Sequence, residues 1–205
     1  MSRYAHLAYT DTVREVQRER GNLRTARSVV DDGPDPLGVA EAAFIRSRDG
    51  FYMASVSETG WPYLQYRGGP QGFVHVLDEQ TLAYADVRGN RQYITTGNLR
   101  TDDRVALFFM DYQRLARLKI FGHASVRAAD EDMDLTSTLN SVRTDGRVER
   151  MVVIRVEGFN WNCSQHITRR FTEAELSEAL APVRDRLNQL EQENIELRNL
   201  LDAQR

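Results

Sequence analysis

From residue 51 onward apolar residues recur with the period of strands, in short runs broken by turns, and this argues against a parallel doubly wound sheet. Residues 51–57 and 61–66 face each other across Glu58-Thr59-Gly60, the pattern of a β-hairpin. Residues 73–77 and 81–86 form a second hairpin over Asp78-Glu79-Gln80, and 104–111, 118–127 and 151–159 supply further strands. A helix over 90–98 is the main interruption. Many short strands with few helices predict a closed antiparallel barrel, which hides its edges and offers its outer faces and mouths to ligands.

Two segments carry the chemistry. In Tyr66-Arg67-Gly68-Gly69-Pro70-Gln71-Gly72-Phe73 a strand ends in arginine, and the glycines remove side chains where backbone amides would approach a flat ligand. In Ala85-Asp86-Val87-Arg88-Gly89-Asn90-Arg91-Gln92-Tyr93 a strand gives way to the helix. Helix N-termini present free N–H groups and partial positive charge, so Asn90, Arg91 and Gln92 are placed to dock a phosphate. For Arg67 the alternative is a surface arginine at a strand end, and for Asp86 a turn carboxylate.

These words carry a resemblance. Residues 44–126, with the fragment Phe159-Asn160-Trp161-Asn162-Cys163-Ser164-Gln165-His166-Ile167, resemble the pyridoxamine 5'-phosphate oxidase-like FMN-binding split barrels, closest to the group described as predicted flavin-nucleotide-binding proteins. The resemblance implies a mainly β (α+β) fold, a six-stranded antiparallel split β-barrel with flanking helices. It also implies a homodimer holding two FMN molecules at its interface. Carried over, the cofactor arginine and the backbone after it fall on Arg67, Gly68, Gly69, Pro70 and Gln71, the flavin-side residues on Ala85 and Asp86, and the phosphate pair on Arg91 and Gln92. The family's type enzyme has Arg-Lys where this chain has Arg91-Gln92; Arg88 or Arg117 would replace the lost cation. Its C-terminal substrate motif has no counterpart here, which argues against pyridoxamine phosphate oxidation itself. The resemblance points to an FMN-dependent oxidoreductase acting on a small substrate, with Trp161, Gln165 and His166 on the substrate side. A deazaflavin-binding branch shares the fold. The alternative is a non-catalytic flavin or haem carrier or sensor.

Composition narrows the partners. The chain has 205 residues, 41% of them hydrophobic, enough for one good core, and a net charge of -3 that gives no overall field for nucleic acid. The clustered Arg14, Arg18, Arg20, Arg24 and Arg27 read as a solvated helix face. The single cysteine, Cys163, suits a reducing cytoplasm, and a polar start without a long apolar run predicts neither export nor membrane insertion. His75, His123 and His166 match no metal-ligand spacing, so no metal is expected.

Three regions follow: an N-terminal helical arm (1–34), a barrel domain (35–170) and a C-terminal helix (171–205). In the arm, Thr12 with Glu15 reads as a capping box and Gly21 as the stop. Asp35 reads as an N-cap before Pro36, opening a helix with Leu37, Ala40, Phe44 and Ile45 as its apolar stripe. In the C-terminal region Leu180, Val183, Leu187, Leu190, Asn194, Leu197 and Leu201 alternate in steps of three and four, the a and d positions of a coiled coil. Asn194 at an a position, with Arg186 and Glu193 at g and Glu191 and Arg198 at e, predicts a parallel dimer.

Overall fold

The computed structural model describes residues 2–22, 33–142 and 146–203. Arg24, Arg27 and the Asp31-Asp32 junction lie outside them. Two compact units are present, one of residues 1–111 and 115–165, the other of 112–114 and 166–205.

In the first unit β1 (Gly50–Val56), β2 (Pro62–Gly68), β3 (Val74–Val76), β4 (Thr81–Val87), β5 (Arg104–Asp111), β6 (Ala116–Ala128) and β7 (Val148–Trp161) make one antiparallel sheet in the order β2-β1-β5-β6-β7-β4-β3. The ladder therefore has seven strands where six were expected. It stays open between β2 and β3 rather than closing by hydrogen bonds. It is nonetheless rolled. Phe51 on β1 meets Tyr84 on β4 edge to face at 5.5 Å, and the Tyr84 hydroxyl reaches the Met53 sulfur at 3.5 Å. Three strands separate β1 from β4, which would stand about 19 Å apart in a flat sheet. Twist and curl bring both ends of the ladder around one core.

The alternation that marked the strands fills this core. Phe51 and Met53 from β1, Leu107 and Phe109 from β5, Leu118 and Ile120 from β6, Ile154 and Val156 from β7 and Leu82 from β4 are all buried. β4 departs from alternation because α5 (Met133–Asn140) covers its other face, where Ala83, Ala85, Leu139 and Met151 form a second cluster. Asp132 caps α5 by accepting from Leu135 N at 2.9 Å.

Several helix starts differ from expectation. α1 (Arg3–Ala8) was not foreseen, and α2 (Asp11–Glu19) is capped by Thr10, whose hydroxyl accepts from Val13 N, so Thr12 lies inside the helix. The helix does stop before Gly21, at φ +69°. α3 (Val39–Arg46) begins after Gly38, with Glu41 accepting from Gly38 N at 3.0 Å; Ala42 and Ile45 are its buried residues, and Ala40 is exposed. Asp35 caps a different element: it accepts from Arg3 N at 2.7 Å, Tyr4 N at 3.0 Å and Phe159 N at 3.3 Å, fastening α1 to β7. Gly158 permits this contact, because a Cβ there would stand 2.4 Å from Tyr4 N.

The second unit is built on α6 (Glu173–Ala203), with Thr172 and Glu175 hydrogen-bonded at its start. Among the described residues no helix is long and apolar enough to cross a membrane.

Candidate functional site

Where the rolled sheet brings β2 against β4, a cleft of about 190 Å³ opens. Alternation on β2 sends Tyr63, Gln65 and Arg67 into it, while Leu64 and Tyr66 point outward. The far wall is Asp86, the loop from Gly89 to Tyr93, the first residues of α4 (Ile94–Asn98), and Arg150 from β7.

Asp86 organises the cations. It is only 8% exposed and directly opposite Arg150 in the β4–β7 pairing, just before a register shift. One carboxylate oxygen accepts from Arg67 at 3.2 Å; the other accepts from Arg150 through Nε at 3.1 Å and Nη2 at 2.7 Å. Arg150 also lies over the Tyr93 ring at 4.6 Å. Burial works against the Arg150 charge, but the hydrogen bonds and field of Asp86, then Tyr93 and Glu149, outweigh it and raise its pKa. Arg67 Nε is buried without a hydrogen-bond partner.

The loop before α4 is bent back on itself. Arg91 (φ 63°) and Tyr93 (φ 54°) are left-handed, a conformation that disfavours side chains with a Cβ, and Gln92 N donates to Asn90 Oδ1 at 3.2 Å. The helix expected over 90–98 therefore starts only at Ile94, and Asn90, Arg91 and Gln92 form an exposed loop at the cleft rather than a first turn. Tyr93 and Arg88 tie this loop to Glu149, at 3.5 and 3.6 Å.

The cleft thus gathers Arg67, Asp86, Asn90, Arg91 and Gln92. The other residues named from sequence lie elsewhere. Gly68 ends β2 opposite Gly50, and Gly69, Pro70 and Gln71 form the turn that follows, where Gly69 N bonds Asp49 O at 2.9 Å and Phe73 N bonds Pro70 O at 3.0 Å. Ala85 is buried under α5. Arg117, on β6, does not line the cleft and has its Nε buried without a partner. Trp161 ends β7, its ring edge-on to Phe44 at 4.7 Å and its indole N–H donating to Glu41 at 2.6 Å. Gln165 is exposed at the end of the first unit; His166 is exposed in the second.

Arg150, Gln65 and Thr95 were missed. Gln65 Oε1 accepts from Thr95 Oγ1 at 3.3 Å and from the Tyr63 hydroxyl at 3.5 Å. Both bonds occupy the carbonyl end, which leaves the amide N–H groups for a ligand.

The family model for pyridoxamine 5'-phosphate oxidase matches residues 39–157, more than half of the sequence and every strand up to most of β7. The chain belongs to the pyridoxamine 5'-phosphate oxidase family. No curated protein matches it. Solved structures similar to this family member include HupZ of Group A Streptococcus, 15% identical, covering 66% of this chain and 100% of HupZ with a TM-score of 0.47. Another is an FMN-binding protein of Syntrophomonas wolfei subsp. wolfei, 10% identical, covering 74% and 97% with a TM-score of 0.45. A third, from Clostridium acetobutylicum, is related to general stress protein 26; it is 13% identical and covers 67% and 94% with a TM-score of 0.44.

Proposed function

We propose that this chain is an FMN-binding oxidoreductase whose cofactor phosphate is held in the cleft between β2 and β4. The observation that carries this reading is the charge of the lining: Arg67, Arg91 and Arg150 stand against the single carboxylate of Asp86. A phosphate monoester carries about two negative charges near neutral pH, which matches that surplus. The buried, unpartnered Arg67 Nε and the amide of Gln65 add donors, so the residues present fit a phosphate-bearing ligand. Asp86 orients Arg67 and Arg150, and the Arg91 loop adds a cation on the same wall.

At about 190 Å³ the cleft of one chain is smaller than the roughly 300–1,000 Å³ of ordinary cofactor pockets. We assign the remainder to a second copy. Leu64 and Tyr66 stand exposed on the outer face of β2 beside the cleft, and Trp61 is exposed just before that strand, the aromatic-rich kind of surface that protein interfaces use. Covering it would shut water out of the site. When bound, FMN supplies two-electron redox chemistry with a small reduced substrate as donor. Gln65 and Thr95 then orient the ligand by hydrogen bonds.

The test is the visible spectrum of the purified full chain after addition of FMN or riboflavin and removal of free ligand. Flavin bands retained at about one equivalent per chain for FMN, and far less for riboflavin, support a phosphate-anchored site. Equal retention of both, a haem Soret band or no retained chromophore would overturn it; turnover with reduced donors then separates an oxidoreductase from a carrier.

A further inference from the structure

α6 is a 31-residue helix that buries none of its side chains. Yet Leu176, Leu180, Val183, Leu187, Leu190, Leu197 and Leu201 line one stripe, each between 43% and 63% exposed. The helix is about 46 Å long, and a row of large aliphatics along that length is costly to leave in water. Pro182 falls on the outer side at a c position and so does not break into the stripe.

We propose that α6 pairs in parallel and in register with α6 of a second copy of this chain. Charge complementarity names the occupant. Arg186 and Glu193 at g would meet the partner's Glu191 and Arg198 at e, each pair opposite in sign, and symmetry repeats both. The helix matches itself. Reversing one helix would still set Arg186 near Glu193 and Glu191 near Arg198, so charge alone does not give the direction.

Asn194 gives it. In a parallel, in-register pair the a residues face each other, and the two Asn194 amides bond across the seam. In an antiparallel pair a faces d, and the register that keeps the charges matched sets Asn194 against Leu190, leaving a buried amide without a partner. That loss is avoided only in the parallel arrangement. A parallel pair also brings both Glu173 ends together, whereas the antiparallel register would hold them about 57 Å apart. The argument stands on α6 alone and is independent of the cofactor reading.

Cysteine cross-linking of the full chain tests it. Cys163 is exposed and is first replaced, in C163S. In that background Val183→Cys and Leu190→Cys, both at d, are each oxidised mildly alongside Gln192→Cys, which faces outward at f. Most of each d variant should become covalent dimer, unchanged on dilution, while Q192C stays largely monomeric on a denaturing gel. Two d sites are used so that local damage at one does not decide the result. Linkage no greater than that of Q192C at both sites would overturn the pairing. Linkage only when V183C and L201C chains are mixed would overturn the parallel direction.

Discussion

Arg67 on β2 and Asp86 on β4 stand 3.2 Å apart although four strands separate β2 from β4 in the ladder. In a flat sheet these strands would lie about 24 Å apart. This pair is therefore a direct measure of how far the sheet is rolled. Because Asp86 also grips Arg150, one carboxylate both holds the roll and aims two cations into the cleft.

Replacing Asp86 should test the structural half of that role. Arg67 and Arg150 have side chains 17% and 20% exposed, so in Asp86→Asn two guanidinium groups lose their counter-charge in a partly dry setting. Breaking such a network from one side costs about 3 kcal/mol, somewhat less where water reaches. Urea unfolding should show the midpoint falling with little change in slope. An unchanged midpoint would mean that the arginines find other partners.

Phosphate recognition should be separable from ring binding. Arg67→Ala and Arg150→Ala each remove charge-assisted hydrogen bonds worth about 1.5–3 kcal/mol, which is about 10- to 100-fold in affinity. FMN should lose that factor in a titration while riboflavin, lacking the phosphate, changes by less than about threefold. Equal losses for both ligands would place the phosphate elsewhere.

How much of this was legible follows from where each signal sits. The β1–β2 hairpin was, because Gly60 takes the positive φ its turn requires, and Arg67 and Asp86 were, because each stands near the end of a strand just before a glycine-containing loop. Arg150 was not: its pairing with Asp86 spans 64 residues, and nothing beside it in sequence reports a cross-strand neighbour. The short α4 had the same cause at smaller scale, since left-handed Tyr93 is held by Glu149 and Arg150 on β7, contacts that nothing beside it in sequence reports. Asp35 carried a capping signal, and it does accept backbone N–H groups, but those of α1 and β7. Local chemistry gave the role and tertiary packing chose the partner.

His75 on β3 should make stability depend on pH. Burial, then the nearby Arg46 charge, hold its pKa below the ordinary value of 6.5, and its Nε2 is buried without a partner. The unfolded chain therefore takes up a proton near 6.5 while the folded chain still resists it. Stability from this group is complete above that pH and declines as pH falls through 6.5 toward the lower folded value. Thermal melts from pH 7.5 to 5 should show a falling midpoint in the natural chain and a shallower fall in His75→Phe. Parallel curves would assign the loss to other groups.

Gly158→Ala should detach α1. The added Cβ would meet Tyr4 N at 2.4 Å and the Asp35 carboxylate at 2.9 Å, and the Tyr4 backbone leaves little room to yield. Overpacking of this kind costs about 1–3 kcal/mol. Limited proteolysis should cut sooner within residues 2–22, and the stacking of Tyr4 on Phe121, at 4.6 Å, should be lost. If cleavage is no faster, α1 is held by contacts other than its approach to Gly158.

Charge reversal on α6 gives the last expectation. Arg198→Glu would set a carboxylate against the partner's Glu193, turning two symmetric attractions into repulsions, each worth about 0.5 kcal/mol when exposed. Dimer dissociation, followed by sedimentation at low salt, should move to higher protein concentration and return toward the natural value at high salt as screening removes the effect. Pairing Arg198→Glu with Glu193→Arg restores opposite signs across the seam, although it loses the Arg186–Glu193 contact within each helix, 3.8 Å in this chain. The double variant should therefore recover most of the dimer but not all. A double variant no better than Arg198→Glu would show that these g and e positions do not meet across two helices.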